Sequence, residues 1–390
     1  MLSLIPRFKP NYTWKEFGAA LCFWRDEIEI YEKEFSEKFG CTYGTMFAYG
    51  RSGLKVLLKS WNLKDKEVIC PAYTCVVVPH AIVKSNNTPR FVDCSKDSFH
   101  MDYEELERVI NKNTAAIIVT HLFGDAVDVE KINSIVQTAE NKYNTKIYVI
   151  QDVAHSYGVK FKNKHVASYG DAAIFGCNIS KIINSIFGGM VITNDSETNK
   201  KLKFHQKEKM DKASWAKELK RFLYLVASWI SFNKYVYYWV NFLDRKGYLN
   251  RFTKYYEEDK IDLPSDWNER PKKIEARVGR VQLKKYDQII SSRRKAAKKI
   301  INELDKYPEI KIRNYNPSST YSHLVATVKN PDEFIDEYLQ RGVQLGTIID
   351  YSVPHMVAYG SCETKHFSRS YQYSKHIINF PLIEENYIAK

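Results

Sequence analysis

Seven cysteines are spread over 390 residues without a single C-x-x-C pair, which argues against both a disulfide framework and a structural zinc site. A reducing, cytoplasmic setting is therefore expected. No Pro/Gly/Ser tract and no block of like charge occurs, so nothing points to disorder. No apolar run reaches the ~18 residues a spanning helix needs; the longest aromatic stretch, FLYLVASWISFNKYVYYWVNFLD, is broken by Asn233 and Lys234. The opening MLSLIPRFKPNYTWKEF has no apolar run behind a basic start, and no secretory signal is expected there. The net charge of +13 invites anionic partners. Yet the basic residues are scattered, with no zinc-finger spacing and no RNP-type aromatic motif, so nucleic acid is not an expected partner.

What is present is a globular balance, with 44% hydrophobic and 27% charged residues, in a chain long enough for two domains at ~100–200 residues each. From Tyr43 to about Asp195, short β-branched runs alternate with amphipathic stretches: EVIC (67–70), PRFVD (89–93), AAIIVTHL (115–122), KIYVIQD (146–152), DAAIFG (171–176) and GMVIT (189–193). Several are apolar throughout, which predicts a mostly parallel sheet covered by helices on both faces. Residues 203–258, charged and then dense in Trp, Tyr and Phe, read as a helical insertion. Residues 259–390 read as a connecting helix and a smaller α/β domain with strands SHLVATV (322–328) and VQLG (343–346). The expected division is 1–202, 203–258 and 259–390. Ligands of such sheets sit beyond the carboxyl ends of strands, which singles out Asp152, His121 and Asn178.

Three features in order suit pyridoxal phosphate (PLP) chemistry. Gly50-Arg51-Ser52-Gly53 precedes a helix pattern, and a Gly-flanked turn opening a helix presents N–H groups and a positive dipole end to a phosphate; an ordinary Ser cap is the plain alternative. Asp152, at the end of KIYVIQD, can pair with a protonated pyridine nitrogen, with His155 three residues on near the ring oxygen. A helix cap and a satisfied half-buried histidine are the plain alternatives. Lys181 follows a strand in a polar turn, where a lowered pKa would make it a nucleophile, although most lysines are solvated surface charges.

Taken together, GRSGLKVLL, CPAYTC, PRFVDCS, IIVTHLFG, QDVAHSYG, GDAAIF and SKxxxxxxGG resemble the DegT/DnrJ/StrS sugar aminotransferases, fold-type-I PLP enzymes. Downstream, Asn268-Glu269-Arg270, Ala276, Gly279, Gln282 and Leu283 are similar to that family's N-x-R…A-x-x-G-x-x-Q-L segment. The resemblance implies an α/β fold with a large, mostly parallel-sheet domain and a smaller C-terminal domain. It implies that Lys181 holds PLP covalently, that Asp152 partners the pyridinium, and that His155 lies beside the ring oxygen. It places Ser52 and Gly53 at the phosphate. Asn268 matches a residue that reaches the cofactor of the neighbouring subunit, implying a homodimer with shared sites.

There are departures. Gly176 stands where a phosphate-binding serine is usual, so Asn178 or Ser180 would have to substitute. Cys75 replaces the aromatic that stacks on the ring, leaving Tyr73 as the nearby candidate. Gln151 replaces a glutamate, and Ile186-Phe187-Gly188-Gly189 replaces G-E-G-G. Dehydrating relatives carry histidine in place of the lysine; this chain keeps Lys181.

The implied activity is transfer of an amino group from glutamate, or a similar donor, to a keto carbon of a nucleotide-linked deoxysugar, in surface-polysaccharide or related amino-sugar biosynthesis. A degenerate PLP-fold protein serving as a binding module and a PLP-dependent sugar dehydratase are the alternatives. Residues 221–244 have three readings: packing on their own domain or across a dimer, peripheral contact with the inner face of a membrane, or docking of another protein.

Overall fold

The computed structural model describes residues 3–23, 26–212, 214–249, 256–383 and 387–388. Before the first strand lie α1 (Trp14–Leu21) and α2 (Glu27–Lys38). The alternation that follows runs β1 (Tyr43–Phe47), α3 (Gly50–Ser60), β2 (Glu67–Pro71), α4 (Val77–Val83), β3 (Thr88–Val92), α5 (Tyr103–Val109), β4 (Thr114–Thr120), α6 (Val129–Tyr143) and β5 (Tyr148–Asp152). A two-residue hairpin, β6 (Lys160–Phe161) and β7 (Lys164–His165), precedes β8 (Ala172–Gly176), β9 (Gly189–Thr193) and α7 (Ser196–Phe204).

The main sheet has the order β1-β9-β8-β5-β4-β2-β3. Neighbours from β8 to β3 are parallel. The sheet is mostly parallel, as expected from sequence; the exception is β9, which runs antiparallel to both β8 and β1. The short 177–188 loop returns the chain directly beside β8, whereas a parallel neighbour needs a longer crossover. Every residue of β4 is buried, as the unbroken apolar run requires of a strand with helices on both faces.

The aromatic-rich segment forms two helices, α8 (Trp215–Ser231) and α9 (Lys234–Arg245). Asn233 separates them and caps α9 by accepting the Tyr235 N–H. Positions 213 and 250–255 of this segment lie outside the described residues. Then come α10 (Lys273–Lys284), α11 (Tyr286–Leu304), β10 (Lys311–Ile312), β11 (Leu324–Thr327), α12 (Pro331–Gln340), α13 (Ser368–His376) and β12 (Ile377–Phe380). The last three strands pair antiparallel in the order β10-β11-β12. VQLG is not one of them: Val343 and Gly346 make only isolated bridges, to Ile5 and Asn379.

α11 ties the two sheets together. Its Ile289 and Ile290 join the core that holds Tyr31 and Phe175, and its Ala297, Ile300 and Leu304 join the core under the second sheet. That linkage brings the start of β11 over the carboxyl edge of the main sheet, where the candidate residues collect.

Candidate active site

Register places Asp152 opposite Thr120 on β4 and Ile174 on β8. Asp152 is buried, accepts the Ala154 N–H at 3.1 Å and faces the Thr120 hydroxyl at 3.5 Å. No helix follows it, so the helix-cap alternative does not apply. Burial raises its carboxyl above the usual range, and the Ala154 N–H, the Lys181 charge and Thr120 pull it back.

Lys181 lies in the 177–188 loop, its N–H donating to Asn178 O at 3.0 Å. Burial lowers its ammonium below the ordinary lysine value, against opposing effects of Cys75, Asp152 and Cys177. The loop is held beside β8 and β9 by Cys177 N–H to Gly188 O and by the Tyr157 hydroxyl on Gly176 O. A Cβ built on Gly176 would meet Lys181 Cε at 3.8 Å, and one built on Gly50 would lie 3.2 Å from Gly176 Cα. The start of α3, Gly176 and the Lys181 side chain are therefore consecutive neighbours. Tyr49, the residue before α3, is extended and gives no side-chain cap, and the first N–H groups of a helix have no partner within it.

The Ser52 hydroxyl is already engaged within the protein. Ser52 is fully buried and donates to Trp267 O at 2.8 Å. Gly53 is needed for packing: its Cβ would stand 2.8 Å from Val191 Cγ2 and 3.1 Å from Phe47. At 100° per residue the two positions point to different sides of α3, Gly53 onto the sheet and Ser52 onto Trp267.

His155 is buried, and its Nδ1 has no hydrogen-bond partner. Burial, then the charge of Lys181 and His323, hold its pKa well below the usual value, so the imidazole is neutral. Its ring lies 5.9 Å from Phe123 and 5.2 Å from His323. His323 belongs to the second sheet's lead-in and is likewise held neutral by burial and Lys181; Ser322 Oγ lies 3.1 Å from its Nδ1. Sequence reasoning missed His323 and Thr120. Thr120 ends an apolar strand run and was open to the same rule that picked Asp152. His323 gave no such signal, because it starts a strand of a different sheet.

The remaining candidates fall outside this cluster or do other work. His121 is structural: its Nδ1 accepts the Val127 N–H at 3.0 Å and its Nε2 meets Gln151 Oε1 at 2.8 Å. Tyr73 cannot stack on a ligand, since it is fully enclosed and its hydroxyl donates to Ile348 O. Asn178 is exposed, its amide oxygen accepting from Ser180 N and Oγ. Asn268 donates to Lys209 O and Asp211 Oδ2, away from Lys181.

One strained residue belongs to the lysine loop. Ile186 has φ +72°, a left-handed conformation costing a side-chain-bearing residue roughly 1–2 kcal/mol. It is fully buried with Tyr12, Ala20, Leu225, Ile274 and Val278, its N–H donates to Asn184 Oδ1, and the Tyr12 hydroxyl donates to the same oxygen. Arg221 stacks on the neighbouring Phe187 at 3.9 Å.

Comparison with known proteins places the chain in a family. The chain is 30% identical over 203 residues to GDP-perosamine synthase of Escherichia coli O157:H7, covering 50% of this chain and 54% of that protein. It is 24% identical over 336 residues to GDP-4-keto-6-deoxy-D-mannose 3-dehydratase of Yersinia pseudotuberculosis, covering 83% and 77%. The first of these alignments spans about half the length of the relative. Among solved structures, the PLP form of a putative sugar aminotransferase, Spr1654 from Streptococcus pneumoniae, superposes with a TM-score of 0.75 at 18% identity, covering 98% of this chain and 93% of that one; this shows a shared fold. Residues 24–386 match one family model, and the chain belongs to the DegT/DnrJ/EryC1/StrS aminotransferase family.

Proposed function

We propose that the chain is a PLP-dependent aminotransferase that moves an amino group from glutamate, or a similar donor, to a keto carbon of a nucleotide-linked deoxysugar, in surface-polysaccharide or related amino-sugar biosynthesis. One observation carries the reading: Lys181, the buried Asp152 and the uncapped start of α3 meet at one edge of the sheet. The residues fit the cofactor. His155 Nδ1 is a buried polar atom without a partner, as a group awaiting a ligand oxygen would be, and the α3 turn suits a phosphate. In this reading residues 1–202 hold the cofactor, 203–258 are an insertion and 259–390 cover the cleft.

When bound, PLP supplies an aldehyde for covalent attachment and a ring that withdraws electrons. The lowered pKa of Lys181 keeps more of its Nζ neutral near pH 7, so that it can attach the cofactor and, once displaced, take the proton from the donor's α-carbon. With the cofactor bound, Asp152 as a carboxylate would hold a proton on the ring nitrogen, and neutral His155 would orient the ring oxygen. The names of relatives acting on GDP- and dTDP-linked sugars support the substrate class, and Lys181 favours transamination over the dehydratase reading. The test is mass spectrometry of products from labelled glutamate with a panel of nucleotide keto-sugars. An aminated sugar with 2-oxoglutarate supports the reading; no transfer from any amino-acid donor to any of them sinks it.

Gly176→Ser is expected to fold normally, since a Cβ there meets only Lys181 Cε at ordinary contact distance. A hydroxyl at this point adds a donor beside the phosphate turn and should tighten PLP retention by about tenfold or more, the worth of one hydrogen bond to a charged group. Equilibrium dialysis reads the change, and weaker retention would place the phosphate elsewhere.

We propose further that the enzyme is a homodimer with shared sites, to which Asn268 contributes in trans; within one chain it contacts Lys209 and Asp211 instead of the cleft. Mixing inactive Lys181→Ala and Asn268→Ala chains should then restore about a quarter of the sites by random pairing. No recovery after confirmed subunit exchange would show that Asn268 acts in its own chain.

A further inference from the structure

The outer side of the α8–α9 hairpin is apolar and unpartnered among the described residues. On α8, Trp215, Leu219 and Leu223 recur every four residues and are 78%, 50% and 57% exposed, which places them along one side of the helix. On α9, Trp239 and Phe242 are about half exposed. Trp14 of α1, 73% exposed, packs its ring 5.0 Å from Trp229 of α8, so α1 extends the surface. The inner side is firmly seated: Leu225 lies in the core beside Ile186, and Tyr237 donates to Gln344 Oε1. None of the described helices is long and apolar enough to cross a membrane.

The charges are sorted as well. Between 212 and 249 the acids are Glu218 and Asp244, and neither is exposed. Glu218 accepts the Lys273 and Ile274 N–H groups at the start of α10. Arg221 and Lys217 turn inward to Asp266, Glu269 and Glu275. Lys220, Lys234 and Lys246 remain exposed, while Arg245 pairs with Asp336 of α12, so the unpaired exposed charge of the hairpin is positive. Exposed Trp and Phe beside lysines is the composition of a segment lying at a lipid headgroup level. A second copy fits less well: an isologous contact through this face would set lysines against lysines.

We infer that the outer face of α8–α9, with α1, docks this chain peripherally onto an anionic lipid surface. The inference does not depend on the reaction catalysed. The test is flotation of the full chain with vesicles of phosphatidylcholine alone, or mixed with phosphatidylglycerol, at low and high salt. The chain should float with the anionic vesicles at low salt and be released by high salt. Neutral vesicles should bind it at least ~tenfold more weakly, because each lysine near an anionic surface strengthens binding severalfold. Two variants separate the contributions. Trp215→Ser with Trp239→Ser should lose at least ~tenfold in binding with an unchanged circular dichroism spectrum, and Lys220→Glu with Lys234→Glu should abolish the preference for anionic vesicles. Wild-type chain that stays unbound at low salt overturns the inference. So does equal flotation with neutral vesicles, equal binding by the tryptophan variant, or a tryptophan variant that changes the oligomeric state by light scattering, which would make the face a contact between copies.

Discussion

Lys181→Ala is expected to leave a folded chain without the PLP-derived visible absorption and with transamination reduced by at least ~10⁴-fold, since the substitution removes both the attachment point and the group that moves the proton. The fold should not suffer. Burial holds the Lys181 ammonium below its ordinary pKa, so in the native state the charged form is disfavoured near neutral pH. Removing it relieves that cost, and the melting temperature of the cofactor-free variant should equal or slightly exceed that of cofactor-free wild type. The same shift has a kinetic counterpart. In the wild type, PLP capture should accelerate with rising pH through a midpoint below 10.5, the ordinary lysine value. Spectrophotometric titration and borohydride trapping read both effects. A trappable adduct in the alanine variant would move the attachment point to another lysine.

Asp152→Asn should retain some bound PLP yet lose turnover by about 10²–10³-fold, the range seen when one preorganised electrostatic partner is removed from an active site. An amide is close in shape to a carboxylate and can still accept the Ala154 N–H. It carries no charge, however, and cannot keep a ring nitrogen protonated. Because burial raises the Asp152 carboxyl while Lys181 and its hydrogen bonds lower it, wild-type activity should fall on the acid side with a midpoint above the ordinary aspartate value of 3.8, and the asparagine variant should lose that acid limb. The kcat-versus-pH profile of the two proteins decides. Near-normal turnover of the variant would count against the role given to Asp152.

Asp152 was legible because strand ends announce themselves: an unbroken apolar run stops, and the next polar side chain stands at the carboxyl edge of the sheet; Lys181, five residues past the end of β8, was legible only from its polar turn and the resemblance of SKxxxxxxGG. The same rule also selected His121, whose two ring nitrogens are taken by Val127 and Gln151. Spacing cannot tell a polar residue that faces a cleft from one that stitches a strand to a loop. Ser52 and Gly53 show a second limit, since a motif locates a helix start but does not say which of its first residues turn toward the sheet. Tyr73 shows a third. Proximity in sequence to Cys75 made it a candidate, and the enclosing Cys94, Phe99, Leu122 and Phe123 came from elsewhere in the chain. VQLG was read as a strand on composition, but a strand exists only where a ladder continues, and its neighbours Ile5 and Asn379 lie at opposite ends of the molecule's sequence.

The burial of Ile186 bears on how such an enzyme can be shortened or recombined. A side chain forced into a left-handed backbone persists only while its surroundings hold it, and here Leu225 of α8 is part of that surrounding, with Phe187 of the same loop stacked under Arg221. The hairpin is thus not a module that can be cut at its ends and discarded. Excising it would strip the cover from the loop that presents Lys181, and grafting it onto a relative with glycine at the Ile186 position would leave Leu225 facing a hole. The hairpin and the loop form one structural unit: a change in α8 at Leu225 has to be matched by a change at Ile186, five residues from Lys181.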